Sequence, residues 1–166
     1  MSSKSKNNNI AVVLGVLFAV INVVVIFSAG SPYNVAHKIS IYEKFPPIWL
    51  WCFSLIMLGF LIGYAFGNVM CELMRGKNCR EREAEAYRGG MLFVATFLLS
   101  LAHYPLLFVG ERLIAALILA FISLICAALC TLCWAKVSPV SAIIIGVYTA
   151  FLVYVFFINC YVVLNI

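Results

Sequence analysis

Three cysteines share one face of a predicted helix, because Cys126, Cys130 and Cys133 are spaced i, i+4 and i+7. Three thiolates on one face suit a soft metal ion. No CxxC pair, histidine or carboxylate lies near them in the sequence to complete such a site. Cysteine within an apolar helix commonly acts as a small packing residue. We therefore predict no metal site.

His103 is the ionisable residue that lies deepest in an apolar run, within SLAHYPLLF at 100–108. Pro105 removes one backbone amide donor and leaves the carbonyl group near Leu101 without its helical partner. Helix breaks at membrane depth occur where neighbours or a cavity satisfy the freed groups. Two interpretations stay open: His103 and Tyr104 line a pocket beside a kink, or both lie at the membrane interface.

Aromatic residues concentrate where the second apolar run begins and along the fifth. These positions are Trp49, Trp51, Tyr148, Phe151 and Tyr154, and Asn159 follows in the fifth run. One interpretation is an interfacial aromatic belt. The other is the lining of a cavity for a flat apolar ligand.

Catalytic motifs are missing from this sequence. It contains no aspartate, no Ser-His-acid arrangement, no HExxH and no glycine-rich phosphate loop. Proton relays in transporters need buried acids, and none lies in the middle of an apolar run. We expect no catalytic residues and no enzyme, and a proton-coupled carrier is disfavoured.

The elements that position these residues follow from the composition. Of the 166 residues, 66% are hydrophobic and 10% charged, and the mean hydropathy is +1.12. A soluble domain of this size could not bury so much apolar surface, so the membrane class follows. The apolar runs span roughly 10–29, 48–71, 91–109, 113–135 and 141–164. Each is long enough to cross a bilayer. We predict an all-α integral membrane protein, a five-helix bundle forming one domain over 1–166, with 80–88 as a polar helical cap on the second helix.

The basic residues predict the orientation. One side of a five-span protein would carry Lys4, Lys6, Arg75, Lys77, Arg80, Arg82, Arg88 and Lys136, against Lys38, Lys44 and Arg112 on the other. The positive-inside rule places the N-terminus in the cytoplasm and the C-terminus outside, in the cell membrane. The net charge of +5 belongs to these loops and predicts no nucleic-acid partner.

A glycine comb, Gly59, Gly63 and Gly67, recurs every four residues in the second run. In lipid such a comb lets two helix backbones approach closely. Two uses are open: packing helices within one monomer, which we favour slightly, and assembly of a homodimer.

The frame of these motifs resembles the translocator protein or tryptophan-rich sensory protein (TspO/MBR) family over nearly the whole chain. PPIW at 46–49 resembles the family's PPxW, and 58–65 resembles its MGxA region. PLLFVG at 105–110 resembles PLFFG, and 148–151 resembles the end of PYLAW. Asn159 and the closing Leu164-Asn165 resemble that helix's LN and its terminal asparagine.

The sequence also departs from the family pattern. Leu55 stands where the family has its second tryptophan, and Phe151 replaces the tryptophan of PYLAW. The third-helix LNxxWSP has two possible registers. One places Ser100 and His103 at its Asn and Trp, and the other places Leu101 and Tyr104 there.

The resemblance implies a five-helix bundle with a pocket for an amphiphile beneath the first loop. Family ligands are porphyrins and sterols, so a porphyrin or other tetrapyrrole is the implied ligand and no cofactor is required. Aromatics from helices two, three and five would line the pocket, and Lys38 or Lys44 would pair with a ligand carboxylate. Porphyrin breakdown is not expected, because the pocket tryptophans are replaced.

Three functions are therefore carried forward from the sequence. The first is a membrane protein that binds a flat apolar or amphiphilic molecule, for sensing or transport, with the lipid bilayer and that ligand as its partners. The second is a small transporter or channel subunit. The third is a structural membrane protein that assembles through Gly59, Gly63 and Gly67.

Overall fold

The computed structural model of the chain describes residues 3–28, 48–74, 80–108 and 112–164. Its helices are α1 (Ser3–Ser28), α2 (Ile48–Met74), α3 (Arg80–Phe108), α4 (Leu113–Ala135) and α5 (Pro139–Leu164). The prediction of an all-helical membrane bundle with five helices is confirmed.

Three helices are long and apolar enough to cross a bilayer of about 30 Å. They are α2 from Phe53 to Met74, α4 and α5. The apolar stretch of α1 is shorter and covers Asn9–Val25. Helix α3 combines a charged first part with an apolar part that begins at Met91. The bundle therefore carries its charges near helix ends, where water and lipid headgroups can solvate them.

Helix α3 begins at Arg80 and runs through the charged segment without a break. The expectation that 80–88 caps the second helix is therefore wrong, because this segment is the start of the third. Its alanine, glutamate and arginine residues have high helix propensity. Glu81 and Glu83 lie in the first turn, where carboxylates interact favourably with the helix dipole. The helix also continues past Pro105 to Phe108.

The helices pack in the spatial order α1, α2, α5, α4, α3. Smaller contacts join α3 to α2 and α1. Two ends of the bundle are useful references: the Arg112 end, where α3 ends and α4 begins, and the Lys136 end, where α4 ends and α5 begins. Because α4 lies between α3 and α5, its side chains take part in any site that these two helices form.

The glycine comb of α2 faces α1. A Cβ atom on Gly63 would lie 2.6 Å from the backbone oxygen of Leu14 and 2.9 Å from Cα of Gly15. A Cβ atom on Gly67 would lie 2.5 Å from Cα of Ala11. These neighbours are backbone atoms and cannot move aside cheaply, so the close approach requires glycine. Helix α1 of the same chain thus covers the comb, leaving no room there for a second copy.

An aromatic cluster fills the core between α1, α2, α3 and α4. Its members are Phe18, Phe66, Phe93, Phe97 and Trp134. The ring centroids of Phe18 and Phe97 are 4.5 Å apart, and those of Phe93 and Trp134 are 5.4 Å apart. These are separations at which aromatic rings attract each other. The cluster closes the core on the side toward the Lys136 end.

A charged contact ties α3 to the turn between α4 and α5. Lys136 Nζ lies 2.7 Å from Glu85 Oε1, and Arg82 Nε donates to the Lys136 carbonyl oxygen at 3.2 Å. The hydrogen bond from Lys136 lowers the pKa of the Glu85 carboxyl below its usual value of 4.5. The same bond raises the pKa of Lys136 above 10.5. Charge pairing therefore fixes the start of α3 at this end of the bundle.

Candidate functional site

A small cavity lies between α3, α4 and α5. Its volume is about 20 Å³. It is lined by Ser100, His103, Ala120, Ser123, Tyr148, Phe151, Leu152 and Val155. A space of this size holds about one water molecule. The site is thus closed, and a larger ligand would have to move these side chains apart.

The cavity lies near the middle of the membrane. Ser123 is about 15 Å along the axis from the start of α4 at Leu113 and about 18 Å from its end at Ala135, at 1.5 Å per residue. At this depth no bulk water satisfies a polar group, so each one needs a protein partner or a ligand. The polar lining is therefore energetically costly unless it is used.

Three hydroxyl groups line one wall. Tyr148 Oη donates to Ser100 Oγ at 2.9 Å, and Ser100 Oγ lies 3.0 Å from Ser123 Oγ. Ser123 Oγ donates to the Thr96 carbonyl oxygen at 3.3 Å. The chain joins all three helices, so it holds them together and presents polar atoms to the cavity.

His103 and Asn159 form a second polar contact. Asn159 Nδ2 lies 2.9 Å from His103 Nε2 and 2.9 Å from the Val155 carbonyl oxygen. Both residues are buried, at 5% and 2% exposure. The contact fixes the imidazole of α3 against α5 beside the cavity.

Helical spacing brings these side chains to one place. On α5, Tyr148, Leu152, Val155 and Asn159 are separated by three or four residues and are all buried on one face. Ser100 and His103 on α3 are three apart, as are Ala120 and Ser123 on α4. Each helix thus turns a polar residue of its own toward the same point.

Five of the residues predicted for the ligand site meet around this cavity: Ser100, His103, Tyr148, Phe151 and Asn159. Of the two registers considered for the third helix, the one through Ser100 and His103 faces the cavity. Leu101 packs against the hydrophobic core instead.

Other predicted residues lie elsewhere. Tyr154 is 42% exposed on the outer surface of α5. Leu55 is buried, and its carbonyl oxygen accepts a hydrogen bond from Asn22 Nδ2 at 3.4 Å. Neither lines the cavity. The site is therefore built from helices three, four and five, not from two, three and five.

Several predicted positions fall outside the described part of the structure. They are the side chains of Trp49, Trp51 and Tyr104, and the whole of Lys38 and Lys44. Their part in a ligand site stays a prediction.

Sequence reasoning missed two residues of α4. Ser123 is almost fully buried and is the middle member of the hydroxyl chain. Its signal was a single hydroxyl between Ile122 and Leu124 in a run with hardly any other polar group. Trp134 is fully buried in the aromatic cluster, and its indole lies against Gly89, where a Cβ atom would collide with it. A tryptophan near a helix end normally suggests the membrane interface, which hid this packing role.

Comparison with known protein families adds evidence that is independent of this geometry. A model of the TspO/MBR family matches residues 9–164, nearly the whole chain. The search of curated proteins and the search of solved structures found no match. The matched range includes every residue that lines the cavity. The resemblance seen in PPIW and along α5 is confirmed, and the chain belongs to the TspO/MBR family.

Proposed function

We propose that this protein binds a flat apolar or amphiphilic small molecule, porphyrin-like or sterol-like, between α3, α4 and α5. Membership of the TspO/MBR family supports a membrane protein with a sensory or ligand-binding role. The observation that carries the finer proposal is the convergence of Ser100, Ser123, Tyr148 and His103 on one cavity at mid-membrane depth. Polar groups at this depth typically mark a ligand or transport site.

The ligand would enter by separating the helices at the closed cavity. Phe151, Leu152 and Val155 supply its apolar wall, and the hydroxyl chain supplies its polar wall. Binding of this kind needs no cofactor and no covalent step. The role in the cell would be sensing the ligand or passing it onward.

A continuous polar path for a transporter or channel draws less support from the described residues. The aromatic cluster of Phe18, Phe66, Phe93, Phe97 and Trp134 occupies the core on the side toward the Lys136 end. Assembly through the glycine comb also draws less support, because α1 covers that face. Ligand binding is therefore the function we favour.

We place the N-terminus in the cytoplasm and the C-terminus outside the cell membrane, on the distribution of basic residues. Reporters that are active in only one compartment, fused to each end, test this arrangement. Both reporters active on the same side would exclude it.

Binding is tested with protoporphyrin and with a fluorescent sterol, by saturable energy transfer from the three tryptophans of the purified chain in detergent. In Ala120→Leu the larger side chain fills the cavity, and we expect at least about tenfold weaker binding, or about 1.4 kcal/mol. Ala128→Leu, on the exposed face of the same helix, is the matched control and should bind like the wild type.

A second variant guards against misfolding of the first. Phe151→Ala enlarges the cavity and should bind the same probes more tightly, while Phe157→Ala, at a position 65% exposed on the outside of α5, should leave binding unchanged. The proposal fails if neither probe saturates, or if the cavity variants bind like their surface controls.

A further inference from the structure

The hydroxyl chain at the cavity has only one possible direction. The acceptor at its far end is the Thr96 carbonyl oxygen, which has no proton, so Ser123 must donate there. Ser123 has no second proton, so Ser100 must donate to Ser123. Ser100 has then used its own proton, and Tyr148 must donate to Ser100. All three hydroxyl protons are committed to protein acceptors.

Accepting capacity remains at the same wall. A hydroxyl oxygen can accept two hydrogen bonds. Among the described residues, the Tyr148 oxygen donates to Ser100 and accepts from no side chain. The wall therefore offers an acceptor to an incoming group, and it can donate only if an existing bond breaks.

His103 does not supply a positive charge in this arrangement. The Asn159 amide nitrogen faces the Val155 carbonyl oxygen, which needs a donor, so this atom is the NH₂ group. An amide nitrogen only donates, so His103 Nε2 accepts from it and carries no proton. The imidazole is therefore neutral. No lysine or arginine is among the residues that line the cavity.

We infer that the cavity selects a neutral ligand with a single hydroxyl group that donates to Tyr148 Oη, and that it rejects carboxylates. This inference rests on the proposed function and narrows its ligand class. A carboxylate only accepts hydrogen bonds and would leave a buried charge without a counter-charge. A space of about 20 Å³ fits the oxygen of one hydroxyl, with the apolar body of the ligand against Phe151, Leu152 and Val155.

Three probes with the same flat ring separate hydrogen-bond donation from charge. They are 1-pyrenemethanol, a neutral donor; pyrene-1-carbaldehyde, a neutral acceptor; and 1-pyrenecarboxylate, a charged acceptor. Dissociation constants are measured by energy transfer from tryptophan in wild type and in Tyr148→Phe, with the same detergent. Comparing each probe between the two proteins cancels its partition into micelles.

The alcohol should lose about tenfold in affinity in Tyr148→Phe, because its proton then has no acceptor. The aldehyde and the carboxylate should change by less than about twofold, because neither has a proton to donate. Tyr154→Phe removes a hydroxyl from the outer face of the same helix and should change none of the three constants.

Equal losses for all three probes in Tyr148→Phe, or a carboxylate that binds as tightly as the alcohol, would overturn the selectivity while leaving the binding site in place. If none of the three probes saturates in wild type, the proposed function fails as well. A thermal unfolding curve for each variant, close to that of the wild type, shows that a loss of affinity reports on the site.

Discussion

Two interfaces in this bundle use opposite means to join apolar helices. Between α1 and α2, Gly15, Gly63 and Gly67 bring the backbones so close that no Cβ atom fits. Between α3, α4 and α5, hydroxyl side chains bridge the helices through Ser100, Ser123 and Tyr148 and leave a small cavity beside them. The first interface is filled by backbone, and the second is held by polar side chains.

The difference shows how an apolar chain separates scaffold from site. In lipid there is little hydrophobic force between helices, so close packing and hydrogen bonds hold them together. Close packing alone leaves no space and no polar group for a ligand. Hydrogen-bonded side chains hold the helices further apart and keep atoms that a ligand can engage. We therefore assign the scaffold to α1 and α2 and the site to α3, α4 and α5.

Gly63→Ala should have the largest effect, because it breaks the scaffold interface. The new methyl group would meet the backbone of Leu14 and Gly15, and we expect a loss of about 1–3 kcal/mol in unfolding free energy. Gly146→Ala is the matched control, since its Cβ atom would lie 3.9 Å from Thr131 Cγ2, an ordinary contact. That control should be neutral or slightly stabilising. Unfolding in mixed micelles measures both, and equal losses would contradict the comparison.

A double-mutant cycle on Ser100→Ala and Ser123→Ala measures the bond that holds the site. We expect a coupling of about 0.6 kcal/mol, with about 1.7 kcal/mol as the upper bound for bonds between membrane helices. Thr131 and Thr149 provide the control, because their oxygens lie 3.4 Å apart across α4 and α5.

Both threonine hydroxyls already donate to carbonyl groups of their own helices, Thr131 to Ala127 and Thr149 to Ile145. Neither has a proton left for the other, so a cycle of Thr131→Val and Thr149→Val should show a coupling near zero. Equal couplings for the two pairs would remove the special status of the serine pair.

The contact between Lys136 and Glu85 should give the smallest effect, since water screens it. Because pairing lowers the pKa of Glu85, its contribution to stability is present above pH 4.5 and is lost as the pH falls through the lowered value. Because pairing raises the pKa of Lys136, its contribution is present below pH 10.5 and is lost as the pH rises through the raised value.

Thermal unfolding of wild type and Glu85→Gln across the pH range tests these signs. The wild type should be the more stable between pH 4.5 and 10.5, and the difference should fade well below and well above this window. Added salt should reduce the difference, while it leaves the serine coupling unchanged. A difference that grows in acid would contradict the assignment.

The sequence predicted the bundle because its signals are local. Apolar length identifies spans, and glycines four residues apart identify a packing face. It also predicted Ser100, His103, Tyr148, Phe151 and Asn159 as site residues. These residues are polar or aromatic within apolar runs, where such side chains are costly and therefore conspicuous.

The same reasoning failed where a residue's role depends on its neighbour. Tyr154 has the same spacing signal as Phe151 but lies on the outer surface of α5. Ser123 is unremarkable along the chain and becomes central only because α4 packs between α3 and α5. The charged segment at 80–88 joined the third helix because high helix propensity let the apolar run extend into water.

The sequence by itself determined that this chain lies in a membrane, which helical faces pack tightly and which family it resembles. These properties depend on composition and on short spacings along one helix. Only the tertiary structure decided which helices share the cavity, which way the hydroxyl protons point and how little space remains. Those properties depend on the order in which helices pack, which brings together Ser100, Ser123 and Tyr148 from distant parts of the chain.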